Sequence, residues 1–80
     1  MEVIETNITG VRIIRLEPFR DMRGAFVELF NRDKFMKVGI DCNFSQECAS
    51  RSRKGTVRGL HFQTGAFAQS KLIRCSRGKV

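Results

Sequence analysis

Apolar and polar positions along the chain fall into short runs separated by turn residues, and most runs have the period of a strand. Val11–Leu16 (VRIIRL) is β-branched, partly alternating, and ends at Glu17-Pro18. It predicts a strand, stopped where proline removes a backbone donor. Asp21-Met22-Arg23-Gly24 predicts a turn. Ala25–Phe30 alternates, with Phe26, Glu28 and Phe30 on one face and Val27 and Leu29 on the other. Asn31 is placed to cap a short helix through Val38, and Gly39 to stop it. Phe35, Met36 and Val38 give that helix too narrow an apolar face to stand alone, so it must pack on a sheet. Asn43–Ala49 (NFSQECA) predicts a further strand, with Phe44, Gln46 and Cys48 on one face. Ser50–Gly55 (SRSRKG) is a polar, basic connection, and Val57–Phe62 and Ser70–Cys75 predict two more strands. Arg77-Gly78-Lys79-Val80 predicts a turn and the first residue of a new strand, so the chain stops mid-element, as the N-terminal part of something larger. The expectation is a mainly β single domain over residues 1–80, with about five strands and one short helix.

The last two runs bracket Thr64, Gly65 and Ala66, small residues suited to a turn. An antiparallel hairpin with its tip at Ala66 sets His61, the one histidine, directly opposite Lys71. Opposed residues have Cβ atoms roughly 4.5–5.5 Å apart, and a slip of one residue would send Lys71 to the other face. In that register the ammonium disfavours imidazolium and keeps His61 able to accept a proton, while Lys71 can stabilise an oxyanion. This is equipment for removing a proton beside a carbonyl. On spacing alone, a surface His/Lys pair accounts for the same pattern, as an exposed aromatic stripe on an edge strand accounts for Glu28 between two phenylalanines.

Composition narrows the classes. Hydrophobic content of 41% and charged content of 29% are those of a globular chain, not a disordered one. Eighty residues bury only somewhat more than about 60% of the unfolded surface, which is marginal without a partner over an apolar face. No apolar run is long enough to span a membrane, and MEVIETNITG is not a secretory leader, which leaves the cytoplasm as the expected location. Cys42, Cys48 and Cys75 lack CxxC spacing, and with one histidine they form no recognised zinc pattern, so free thiols are expected. The net charge of +7 favours polyanions or phosphorylated ligands. No acidic residue occurs from Arg51 onward, where Arg51, Arg53, Lys54, Arg58, Lys71 and Arg74 gather. The SRSRKG run is a solvated connection or a phosphate clamp. Phe62 and Phe67 among arginines also suit a small nucleic-acid-binding module, though the sequence lacks an RNA-binding signature.

The order DMRGAF-E, then FSQECASRSRKGTVRGLHFQ, then AQSKLIRC-RGKV resembles the dTDP-4-dehydrorhamnose 3,5-epimerases. The most specific part is RGLHFQ followed by AQ-K. The resemblance covers essentially the whole chain but less than half of a usual family member. It implies a cupin-like jelly roll, of which this chain would be a partial one, and a homodimeric enzyme of deoxysugar biosynthesis. It implies a dTDP-sugar nucleotide substrate and no metal or redox cofactor. Nucleic acid then becomes an unlikely partner, as does a purely non-catalytic dimerising fragment. Carried over by position, His61 is the base beside the C4 ketone and Lys71 holds the enolate oxygen. Arg58 contacts phosphates or sugar, Arg23, Phe26 and Glu28 match a nucleotide-binding segment that reaches the partner subunit's site, and Gln46 matches a polar ligand contact. The chain departs from the family in having no tyrosine to return a proton on the opposite sugar face, and the aspartate that pairs with the base histidine falls beyond the matched part. Cys48 stands where asparagine is usual, Ser45 at a normally apolar position, and Gly65 and Ala66 where paired prolines are usual. These departures imply weak or no turnover by the 80 residues alone.

Overall fold

A computed structural model describes residues 1–79, in the element order of four strands, one α-helix and one 3-10 turn. The secondary structure is mainly β with one short helix, as expected. Val80, expected to begin a further strand, lies outside the described residues. Backbone contacts divide the chain into two units, Met1–Asp41 and a second that begins at Cys42.

In the first unit, β1 (Glu2–Glu5) and β2 (Arg12–Arg15) form an antiparallel pair, in register Glu2↔Arg15, Val3↔Ile14, Ile4↔Ile13, Glu5↔Arg12. Apolar pairs fill the middle of this ladder and ion pairs close its ends: Arg15 Nη1 lies 2.9 Å from Glu2 and Arg12 Nε 2.7 Å from Glu5. Opposite charges directly across a ladder favour this register over its neighbours. β2 lies within the expected Val11–Leu16 run. β1 is an additional strand, four residues bounded by two glutamates and too short to carry a periodic signal. The connection is held by Thr6, whose Oγ1 donates to the Val11 carbonyl at 2.8 Å and accepts from the Ile8 amide at 3.2 Å.

β3 (Phe19–Asp21) and β4 (Gly24–Phe26) form a second hairpin, in register Phe19↔Phe26, Arg20↔Ala25, Asp21↔Gly24. The expected turn at Asp21–Gly24 is present. Gly24 has φ of 131°, a backbone angle that disfavours any side chain. Pro18 marks a boundary as expected, yet a new strand starts immediately after it. The strand expected over Ala25–Phe30 is shortened at its end, because β3 offers three residues to pair with.

Helix α1 (Arg32–Lys37) is capped by Asn31, whose side chain accepts from the Lys34 amide at 3.2 Å. Gly39, at φ of 78°, terminates it, and the Ile40 amide returns to the Phe35 carbonyl at 2.9 Å. Both ends therefore fall where the sequence placed them. Arg12 Nη1 donates to the Gly39 carbonyl at 3.0 Å, joining the first hairpin to the negative end of the helix. Phe35, 2% exposed, is the one buried hydrophobic side chain among the described residues, with Phe30 edge-on at 4.8 Å between ring centroids.

The second unit differs from expectation. Asn43–Ala49, Val57–Phe62 and Ser70–Cys75 do not form strands, and every described residue from Ser45 on is exposed. The His61–Lys71 ladder is therefore not formed. Alternation marks which face a strand would bury, but a strand needs a neighbour for its backbone groups, and none pairs with these runs among the described residues. Charge adds to the effect. Met1–Asp41 carries seven basic and seven acidic residues and is neutral, so the whole +7 lies after Asp41. Such self-repulsion opposes compaction. Local structure survives: a 3-10 turn at Gly65–Phe67, and a turn in which the Thr56 amide donates to the Arg53 carbonyl at 3.1 Å.

Phe35→Ala is expected to remove about 3 kcal/mol or more, a large share of the stability of so small a unit. Circular dichroism should then show loss of α1 and an earlier melt. Phe62→Ala, at an exposed position, should stay within about 0.5 kcal/mol of the unaltered chain. Equal effects from the two substitutions would contradict this account of the core.

Candidate functional site

The seven candidate residues divide between the two units. Arg23, Phe26 and Glu28 lie in the first; Gln46, Arg58, His61 and Lys71 lie in the second.

Arg23 occupies the turn of the β3–β4 hairpin. Its backbone amide donates to Asp21 Oδ1 at 2.8 Å, and its Nε and Nη2 donate to Asp21 Oδ2 at 3.0 and 2.6 Å. The two residues bracket Met22, so the turn itself brings them together. The guanidinium keeps further N–H groups for an outside acceptor. The Asp21 carboxyl lies below its ordinary range, first because of the Arg23 side chain and then because of its amide. Arg23 is raised correspondingly by Asp21.

Phe26 closes β4, directly opposite Phe19, and both rings stand in solvent at 70% and 77% exposure. With Asp21, Arg23, Gly24 and Ala25 they line an open groove of about 510 Å³. Two exposed aromatic rings in a groove with a guanidinium offer a surface on which a planar base can stack and an anion can be held.

Glu28 follows β4 at the entry to α1. Its Oε1 lies 2.6 Å from Lys34 Nζ, and its Oε2 accepts from Asn31 Nδ2 at 3.3 Å. The Lys34 hydrogen bond, then that of Asn31, holds the carboxyl below its ordinary range. Glu28, Asn31 and Lys34 line a smaller pocket of about 230 Å³ with Leu16, Phe19 and Phe35. The sequence pattern does not mark Lys34 as part of a site. It stands six residues from Glu28 across a strand–helix junction, which no single period spans. The cap signal at Asn31 is what could have drawn attention to it.

In the second unit Arg58 Nε donates to Ser52 Oγ at 2.8 Å, which folds part of the SRSRKG connection onto the arginine. Gln46, His61 and Lys71 are exposed and belong to no ladder. The turn at Gly65–Phe67 sits on Ala66, midway between His61 and Lys71, where the sequence placed it. Cys42, Cys48 and Cys75 are free thiols. Among the described residues no group of three or more His, Cys, Asp or Glu side chains gathers as metal ligands would, and no helix is long and apolar enough to cross a membrane.

The model of the dTDP-4-dehydrorhamnose 3,5-epimerase family matches residues 5–80, and the chain belongs to that family. It is 47% identical over its full length to the dTDP-4-dehydrorhamnose 3,5-epimerase of Escherichia coli K12, of which it spans 44%. Over 90% of the chain it is 48% identical to the enzyme of the same name from Sinorhizobium fredii, covering 37% of that protein. A dTDP-4-dehydrorhamnose 3-epimerase from Streptomyces niveus is 35% identical over the whole chain, which spans 39% of it. The chain thus covers less than half the length of each of these relatives. No solved structure matches it.

Arg23→Ala should return the Asp21 carboxyl towards its ordinary range, seen as a rise in the midpoint of its carbon resonance on acid titration. Because the native value is lowered, the contribution of the ion pair to turn stability is complete above the ordinary aspartate range. It is lost as pH falls through the lowered value. An unchanged midpoint in Arg23→Ala would rule out the pair as its cause.

Proposed function

We propose that this chain is the nucleotide-recognising and proton-abstracting part of a sugar-nucleotide epimerase, an isomerase acting on a dTDP-4-keto-6-deoxyhexose. The observation that carries the reading is the extent of the family match, residues 5–80, which takes in all seven candidate residues. The relatives' names supply the substrate class.

In this reading Arg58 contacts the phosphates or sugar, for which a planar guanidinium is suited, and Arg23 belongs with Phe26 and Glu28 to a nucleotide-binding segment that reaches the partner subunit's site. Phe26 stacks on the base, and Glu28 and Gln46 contribute polar contacts. His61 is the base: it takes the proton from the carbon beside the C4 ketone, and the electron pair of that C–H bond moves into the enolate. Lys71 Nζ donates to the enolate oxygen and lowers the cost of its charge. Return of the proton to the opposite face needs a second acid, and the chain contains no tyrosine to serve. The half-reaction of proton removal is therefore its part, and net epimerisation by these residues alone is weak or absent. Each two-stranded sheet leaves its outer edges unpaired among the described residues, which supports a homodimer as the working form. A cytoplasmic location follows from the substrate class.

The test is calorimetric titration with dTDP at low and moderate salt. Saturable binding should survive moderate salt and weaken about tenfold in Arg58→Ala, the order expected for a lost charge-assisted contact. His61→Ala should bind within about threefold of the unaltered chain, and any exchange of the substrate's C3 and C5 protons into deuterated water that the unaltered chain supports should be lost with it. Binding that disappears with salt and is shared by inorganic polyphosphate would overturn the reading in favour of a nonspecific basic surface.

A further inference from the structure

Glu28 is exposed enough to sample several rotamers, yet both of its oxygens are held. Lys34 Nζ takes Oε1 at 2.6 Å and Asn31 Nδ2 takes Oε2 at 3.3 Å. Asn31 also acts on the helix: its Oδ1 accepts the Lys34 backbone amide at 3.2 Å, which starts α1. One asparagine therefore fixes Lys34 through its backbone and Glu28 through its side chain. The helix that carries Lys34 is in turn anchored by Phe35, the adjacent residue, buried against Phe30. An ionised carboxylate offers about four acceptor positions. Two are occupied here, so Glu28 can still receive a donor from outside while its orientation is set from within.

We propose that Lys34, together with Asn31, positions the Glu28 carboxylate to receive an N–H or O–H donor of the bound nucleotide. This rests on the reading of Glu28 as a nucleotide contact. Both are positioning residues: neither need touch the ligand. Ordering a glutamate before binding lowers the side-chain entropy lost on binding, and keeping it ionised preserves its strength as an acceptor. The charged groups around the same pocket are Glu17, on the segment leading into β3, Met1 with its terminal amino group, and Lys34 itself. Of these groups Lys34 is the side chain that favours the ionised form of Glu28, with Asn31 adding its hydrogen bond.

The test is dTDP titration of the full chain, from the carboxylate range up to neutrality, for the unaltered protein, Lys34→Met, Lys34→Arg, Glu28→Gln and the Lys34→Met/Glu28→Gln pair. Lys34→Met is expected to weaken binding about two- to fivefold at neutral pH, the range of an exposed ion pair, and to move the acid loss of binding to higher pH. Lys34→Arg should restore both. In the Glu28→Gln background Lys34→Met should have no further effect, because its influence passes through the carboxylate. Additive effects of the two substitutions, or an acid limb that Lys34→Met leaves in place, would overturn the proposal. Lys34→Arg retains α1, so a failure of Lys34→Met to fold still leaves Glu28→Gln and Lys34→Arg to compare: Lys34→Arg must keep the acid limb that Glu28→Gln abolishes. Should the unaltered chain not bind dTDP, the nucleotide reading fails and the proposal with it. Should Glu28→Gln weaken binding while Lys34→Met does not, the positioning role alone fails.

Discussion

Burial of Phe35 is the constraint on which the first unit of this chain depends. A six-residue helix has no independent stability in water, because the nucleating turn costs more than a few hydrogen bonds return. One aromatic ring removed from water is worth a few kcal/mol, enough to hold that helix once its ends are satisfied. Asn31 and Gly39 satisfy them, and Arg12 brings the first hairpin to the helix's negative end. The Glu28–Lys34 contact exists because the helix does. Loss of the ring would thus also release the carboxylate of Glu28 from Lys34.

What was legible in the sequence is what is local. The Asn31 cap, the Gly39 stop, the Asp21–Gly24 turn and the turn on Ala66 each depend on residues within a few positions, and each is where the pattern put it. The strands expected over 43–49, 57–62 and 70–75 required partners distant in the chain, and alternation says nothing about whether these are available. β1 shows the converse. EVIE has little pattern of its own, but two ion pairs and two apolar pairs with β2 make it a strand. Registry was decided by the partner, not by the segment.

The candidate site divides along the same line. Arg23 and Glu28, the charged candidates of the first unit, each carry an in-chain counter-charge at 2.6 Å, supplied two and six residues away. Alternation points to Phe26 and Glu28 and the resemblance to Arg23, but neither points to Asp21 or Lys34 as their partners, since turn and junction geometry created those pairs. The arithmetic that set His61 against Lys71 located the turn between them and presupposed the ladder. With eight basic residues against one acidic after Asp41, and with Leu60, Phe62 and Ile73 in solvent, that segment has neither the charge balance nor the buried face to form the ladder unaided.

Recognition and chemistry therefore place different demands on the same sequence. The proposed stacking on Phe26 and acceptance at Glu28 need only a hairpin, a cap and one buried ring, all made within the unit that ends at Asp41. Proton abstraction beside a ketone needs an imidazole and an ammonium converging on adjacent atoms of one substrate. Reacting groups must be held within hydrogen-bond reach, and a misplacement of about 1 Å costs orders of magnitude in rate. Ten residues separate His61 from Lys71, and only pairing of their two runs in the one register that opposes them can supply that convergence. The proposed contacts at Phe26 and Glu28 do not require that ladder. Burial of Leu60, Phe62 and Ile73, all exposed here, would be one way to supply the energy that such pairing needs. The register so fixed would set the distance between the proposed base and the group proposed to hold the enolate.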